Sequence, residues 1–275
     1  MVHGLGYLSI WGANVLKPFL SGSGITSDYL LPLPQLDGTV SNPIINGFEP
    51  LAVFDSYQMD TSNNPLSSLG KQITAFTPSG GYPISVQSWF NQFRLSPIYQ
   101  VSQQAFQIAS GRQPSLLFQL SKGGIPDNSN SSGIVNNTLV LTSAFNGGFS
   151  DGSSMSHVDY SNYYNTKEFL MTPTGQSGIN LPDEVSKYSM GWNFGALGPK
   201  LLQSLQQLGW TLKTDAVYTQ GNGDGGISLD NLGTFKFASR LPVGNFEQRS
   251  FQIGTSLLWT SGFWGGFWVL LLYLN

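Results

Sequence analysis

The chain has 275 residues and no cysteine, which excludes disulfides, zinc ribbons, iron–sulfur clusters and thiol catalysis. Twelve Lys and Arg stand against fifteen Asp and Glu, a net charge of −3 with the cations scattered singly, which argues against a sequence-specific nucleic-acid surface. Charged residues are only 10%, far below the roughly 25% of an ordinary globular protein, yet 40% hydrophobic and 13% aromatic content is enough to offset chain entropy and build a core.

The N-terminal segment MVHGLGYLSIWGANVLK has no basic leader, its first cation being Lys17, and its apolar residues are broken by Gly, Ser and Asn. No secretory signal is read there, so a chain used from Met1 and made in a cytosol is expected. Short alternating or β-branched runs follow between Gly/Pro/Asn/Ser clusters. They are Tyr7–Trp11, Tyr29–Leu33, Leu51–Met59, Gln72–Thr77, Ile98–Val101, Ser115–Leu120, Asn137–Thr142, Phe169–Met171, Thr211–Thr219, Thr234–Ala238, Phe246–Thr260 and Phe267–Leu274. Their spacing predicts a mainly β fold: an antiparallel jelly-roll-type sandwich, as one elaborated barrel or two stacked barrels, with one or two short helices.

The helices expected are Ser85–Phe93, with Val86, Phe90 and Phe93 on one face, and Leu197–Leu208. The latter aligns Leu201, Leu205 and Leu208, has Pro199 in its first turn and Gly209 at its end. Stretch 101–109 fits either state. The Gly/Ser-rich loop Phe145–Ser156 marks a boundary between halves 1–148 and 149–275 of what is otherwise one unit, 1–275.

No motif names a chemistry. The only histidines are His3 and His157. A strand through His157 would put Asp159 on its face, but no G-x-S-x-G elbow supplies a nucleophile, so no enzyme is expected. Gly70-Lys71 lacks the upstream glycine of a phosphate loop. Asp183-Glu184 after Pro182 reads as a solvated turn or helix start. Two Asn-x-Ser/Thr tripeptides, at Asn130 and Asn136, match the glycosylation acceptor pattern.

The segment Gln220–Asn231, QGNGDGGISLDN, carries Asn222 and Asp224 at alternate positions before Gly225, with Asp230 adding a carboxylate. It resembles the twelve-residue calcium loop of EF-hand and dockerin proteins, which implies calcium held by Asn222 and Asp224, with Asp230 able to add a carboxylate in a different geometry. Gln220 and Asn231 replace the two end ligands of that pattern, and a plain Gly-rich hairpin loop is the competing reading; otherwise no cofactor is expected.

Tyr160, Tyr163 and Tyr164, with Trp192, offer a sugar-stacking or subunit-contact platform, against ordinary sheet-face aromatics. From Ser250 to Asn275 no side chain is charged. Gly262, Gly265 and Gly266 divide this tail into a hairpin rather than a membrane helix, and the unbroken run Val269–Leu274 predicts cover on both faces. Trp259, Phe263, Trp264, Phe267, Trp268 and Leu272 are its interface candidates, with lipid contact through the tail as the alternative.

These features together point to a virion structural protein, a capsid or coat subunit assembling with copies of itself and with other structural proteins. The alternatives are an extracellular or cell-surface carbohydrate-binding or adhesion β-sandwich, and a membrane-inserting β protein.

Overall fold

The computed structural model describes residues 3–13, 15–20, 28–39, 41–112, 114–121, 137–145, 147–175, 178–189 and 196–211. Of these, 38% are helical and 20% strand, in small separate sheets that do not close into a barrel. The expected mainly β jelly-roll sandwich is therefore incorrect: the fold is mixed. Three of the expected strands are not strands. Gln72–Thr77 begins inside helix α1 (Leu66–Thr74), Ile98–Val101 lies inside α3 (Pro97–Ser110), and Phe169–Met171 is a 3-10 turn.

The strands form three antiparallel sheets. β1 (Trp11–Gly12) pairs with β2 (Leu31–Pro32). β3 (Pro34–Thr39), β4 (Asn42–Phe48) and β6 (Ile84–Ser85) form the second sheet in that order. β5 (Gln58–Asp60), β7 (Leu116–Gln119) and β8 (Thr138–Val140) form the third, in register Met59 to Leu117 to Val140. The β3–β4 hairpin turns tightly beside Gly38, at φ +87°, where a Cβ would sit 2.6 Å from the Asn42 carbonyl oxygen. Only glycine takes that conformation without strain.

The helices follow local signals. α2 (Val86–Leu95) buries Val86, Trp89, Phe90 and Phe93, the i, i+3, i+4, i+7 stripe of an amphipathic helix, and the Ser85 hydroxyl accepts the Ser88 N–H at its start. α1 buries Leu66, Gly70 and Ile73, so Gly70 and Lys71 are helical residues and no phosphate loop exists there. α6 (Pro199–Gln207) buries Leu201, Leu202 and Leu205, and Gly209 follows it at φ +102°.

These elements share one buried apolar cluster that runs from Tyr7 to Leu205. On one side Trp89 stacks on Phe93 with centroids 4.6 Å apart. On the other, Phe118 of β7 meets Phe54 at 5.0 Å and Tyr57 at 5.5 Å. Burial of rings of this size is the main favourable term of such a core. The two ends of the described region also meet: the Trp210 indole N–H donates to the Leu5 carbonyl at 2.7 Å.

The segment that positions the sites is 137–188. After β8 the chain runs through a polar loop to α4 (Tyr160–Tyr163), the 3-10 turn Phe169–Met171, and α5 (Leu181–Tyr188). Ser143, Ser154 and Ser156 in that loop are buried, and Ser154 donates to the Ser143 carbonyl.

A candidate binding cleft and a histidine pair

Asp159 starts α4 by accepting the Asn162 N–H at 2.9 Å and the Asn162 side-chain amide at 2.7 Å. The helical turn it initiates sorts the three tyrosines. Tyr160 and Tyr164, four residues apart, fall on one face and stack with centroids 4.8 Å apart and planes 15° from parallel. Tyr163 turns inward: it is buried, its hydroxyl accepts the Val140 N–H at 3.1 Å, and burial pushes its phenol well above the usual range. Sequence grouped all three as a platform; the fold keeps two of them at the surface and gives the third to the core.

Tyr160 and Tyr164 line a shallow cleft of about 80 Å³ together with Leu170, Thr172, Thr174 and Glu184. Glu184 reaches it from α5, whose N-terminus is capped by Asn180 accepting the Asp183 N–H at 2.9 Å. The expected helix start at Asp183-Glu184 is thus present. α5 buries no residue fully. It is fixed beside the cleft by Tyr188, whose hydroxyl donates to the Asn165 side-chain carbonyl at 2.7 Å and whose ring lies 5.8 Å from Phe169. The cleft therefore combines flat aromatic surface, a carboxylate and threonines on a backbone held by caps. A wider depression of about 450 Å³ lies along Phe48, Leu51, Ser56 and Lys71, without a paired aromatic wall.

His157 and Asp159 do not form a catalytic pair, since Asp159 is engaged in the α4 cap. His157 instead faces His3 across 154 positions of sequence, Nε2 to Nε2 at 3.3 Å, with ring planes at 73°. The Nδ1 of His3 lies 2.6 Å from the Tyr7 carbonyl oxygen, and the Nδ1 of His157 lies 3.2 Å from that of Ser153. Burial and the neighbouring His3 hold the His157 imidazole down at about 4. The contact was invisible in sequence, although the only two histidines of the chain invited the question.

Two buried carboxylates were also missed. Asp55 is fully buried, with Oδ2 accepting the Ile10 and Ala52 N–H groups, both at 3.2 Å, and Oδ1 without a partner. Burial raises it to about 6, against the pull of the Ser9 hydroxyl and of those amides. Glu168 closes the N-terminus of α6. Both bind amides of distant segments, Ile10 for Asp55 and Lys200 and Leu201 for Glu168, which no local pattern announces.

The loop residues Asn222, Asp224 and Asp230, and the tail residues Trp259, Phe263, Trp264, Phe267, Trp268 and Leu272, lie outside the described residues, as does Trp192. Among the described residues no three or more His, Asp or Glu side chains converge as a metal-binding group, and no helix is long and apolar enough to cross a membrane.

Compared with known proteins, the chain matches the profile of the SPBPB7E8-like family over residues 1–222, and it belongs to that family. No curated protein and no solved structure matches it.

Proposed function

We propose that this SPBPB7E8-like protein is a binding protein for neutral carbohydrate, with the Tyr160–Tyr164 cleft as its docking site. The observation that carries this reading is the near-parallel tyrosine pair, 4.8 Å apart, in one cleft with Glu184. A pyranose ring presents an apolar C–H face that packs on an aromatic plane, while its hydroxyls need acceptors and donors at the edge. Tyr160 and Tyr164 supply the plane; Glu184 and the polar groups of Thr172 and Thr174 supply the edge. A surface low in charge and rich in Ser, Asn and Gly suits a neutral ligand.

The coat-subunit reading drew its main support from a closed β-sandwich. Without that sandwich it rests on composition and on the uncharged C-terminal tail, which lies outside the described residues. The cleft favours binding, and binding is the reading carried forward.

The test is titration of the full chain with a panel of neutral oligosaccharides, followed by tyrosine and tryptophan fluorescence. Tyr160→Ala and Tyr164→Ala should each weaken the best ligand about tenfold, with Glu184→Gln weakening it less. Binding that survives both tyrosine changes, or no binding to any glycan at millimolar concentration, would overturn the proposal.

A further inference from the structure

The facing histidines present an arrangement that neutral imidazoles do not adopt for its own sake. A backbone carbonyl only accepts hydrogen bonds. The contacts of His3 Nδ1 with the Tyr7 oxygen and of His157 Nδ1 with the Ser153 oxygen therefore place a proton on each Nδ1. In the neutral rings both Nε2 atoms are then bare lone pairs, and these are the atoms that meet at 3.3 Å. Two lone pairs aimed at one another repel unless an electrophile lies between or beside them.

Three features fit a metal ion in that role. Zinc–nitrogen bonds of about 2.0–2.1 Å at a tetrahedral angle put two ligating nitrogens about 3.3–3.4 Å apart. That is the separation found here. The ring centroids lie 4.8 Å apart while the Nε2 atoms are 3.3 Å apart, too close for the two lone pairs to point straight along the line joining them, so they are tilted off that line. And a ligating histidine almost always donates its other ring N–H to a carbonyl or carboxylate, which both of these do.

We infer that His3 and His157 form a two-imidazole site for a divalent transition ion of the zinc class, which pins the N-terminal segment to the loop preceding α4. No carboxylate joins the pair among the described residues, so water fills the remaining positions. The ligand set is nitrogen only, which selects zinc or cobalt over the oxygen-seeking magnesium and calcium. The two histidines lie 154 positions apart, so the ion closes a long loop of chain. Its binding adds a metal-linked contribution to the docking of residues 3–13, which the buried Tyr7 and the Trp210–Leu5 bond already hold.

The experiment is isothermal titration of the full chain with zinc and with cobalt, magnesium serving as the control ion. One zinc per chain should bind, the melting temperature should rise with zinc and not with magnesium, and protease cleavage near the N-terminus should slow. His3→Gln and His157→Gln should each weaken zinc at least about tenfold. His3→Gln changes a residue at the edge of the fold, so it reports even where His157→Gln fails to fold. In the unaltered chain, the Nε2 resonances of both imidazoles should move together on zinc addition while the Nδ1 resonances stay. Absence of zinc binding at submillimolar concentration would overturn the proposal. Zinc binding undiminished in both single variants would overturn it equally, by placing the ion elsewhere.

Discussion

Glu168 closes the open end of a helix farther along the chain: its Oε2 accepts the N–H of Leu201, 33 residues on, at 2.9 Å, and its Oε1 accepts the N–H of Lys200, 32 residues on, at 2.7 Å. The side chain is 5% exposed, so these bonds are made away from water. α6 begins at Pro199 after Gly198, which has no side chain to cap with, and a Cβ at position 198 would lie 2.5 Å from the Glu168 carboxyl carbon. The glycine is there because the cap comes from another segment. A carboxylate at this position satisfies two orphan amides and meets the positive end of the helix dipole.

Glu168→Ala should therefore destabilise the chain by about 2–3 kcal/mol, the cost of a lost cap together with buried donors left unpaired. Glu168→Gln should cost less, because its amide oxygen still accepts one of the two bonds. Chemical denaturation followed by tryptophan fluorescence measures both, and an Ala variant as stable as the parent would contradict the capping role.

Tyr163→Phe removes a single oxygen atom and leaves the Val140 N–H buried without an acceptor. The expected loss is about 1–3 kcal/mol. Because β8 lies beside β7 in the third sheet, amide exchange at Val140 and its neighbours should quicken in the variant. Tyr160→Phe should leave stability unchanged within about 0.5 kcal/mol, as a surface substitution does. That contrast separates the tyrosine used by the core from the pair used by the cleft.

Which parts of this fold sequence could disclose depended on whether the signal was local. α2 and α6 were readable because Val86, Phe90 and Phe93, and Leu201 and Leu205, repeat at helical spacing beside Ser85 and Gly209. α3 was not, because its buried face is Ser102, Ala105 and Ala109, small residues that leave Ile98 and Val101 to imitate a strand. The β3–β4 hairpin escaped because Pro34, Gly38, Pro43 and Gly47 interrupt both strands, and such residues argue against a strand interior. The tyrosine cluster was visible as a cluster, but which ring turned inward depended on β8 arriving beside it. The histidine pair and the burial of Asp55 against Ile10 depended on contacts between distant segments, for which a single sequence holds no pattern.

Phe118 sits where the third sheet meets the N-terminal segment, with ring centroids of Phe54 at 5.0 Å, Tyr57 at 5.5 Å and Tyr7 at 6.2 Å. It is fully buried. Phe118→Ala should cost about 3–5 kcal/mol through lost transfer energy and the cavity left among three rings. Phe118→Leu should cost clearly less, since it keeps most of the volume. Equal midpoints for the two variants in a urea titration would show that the site collapses around the deletion.

Asp55 makes the stability of the chain depend on pH in the direction opposite to a salt-bridged aspartate. Its folded value is about 6 against an ordinary 3.8, raised by burial. Between those two values the folded chain holds a proton that the unfolded chain has released. The stabilisation linked to that proton is fully present below about pH 4 and is lost as pH rises through about 6. A gap of that width between the folded and unfolded carboxyl corresponds to about 3 kcal/mol. Asp55→Asn keeps the shape and an oxygen for the Ile10 and Ala52 amides, and it carries no charge at any pH. The stability of the variant relative to the parent should therefore grow from pH 4 to pH 7, with the asparagine form the more stable of the two near neutrality. Urea unfolding at closely spaced pH values across that interval measures the difference directly. A difference that stays constant with pH would show that Asp55 is ionised throughout, and that the two amides and the Ser9 hydroxyl outweigh its burial.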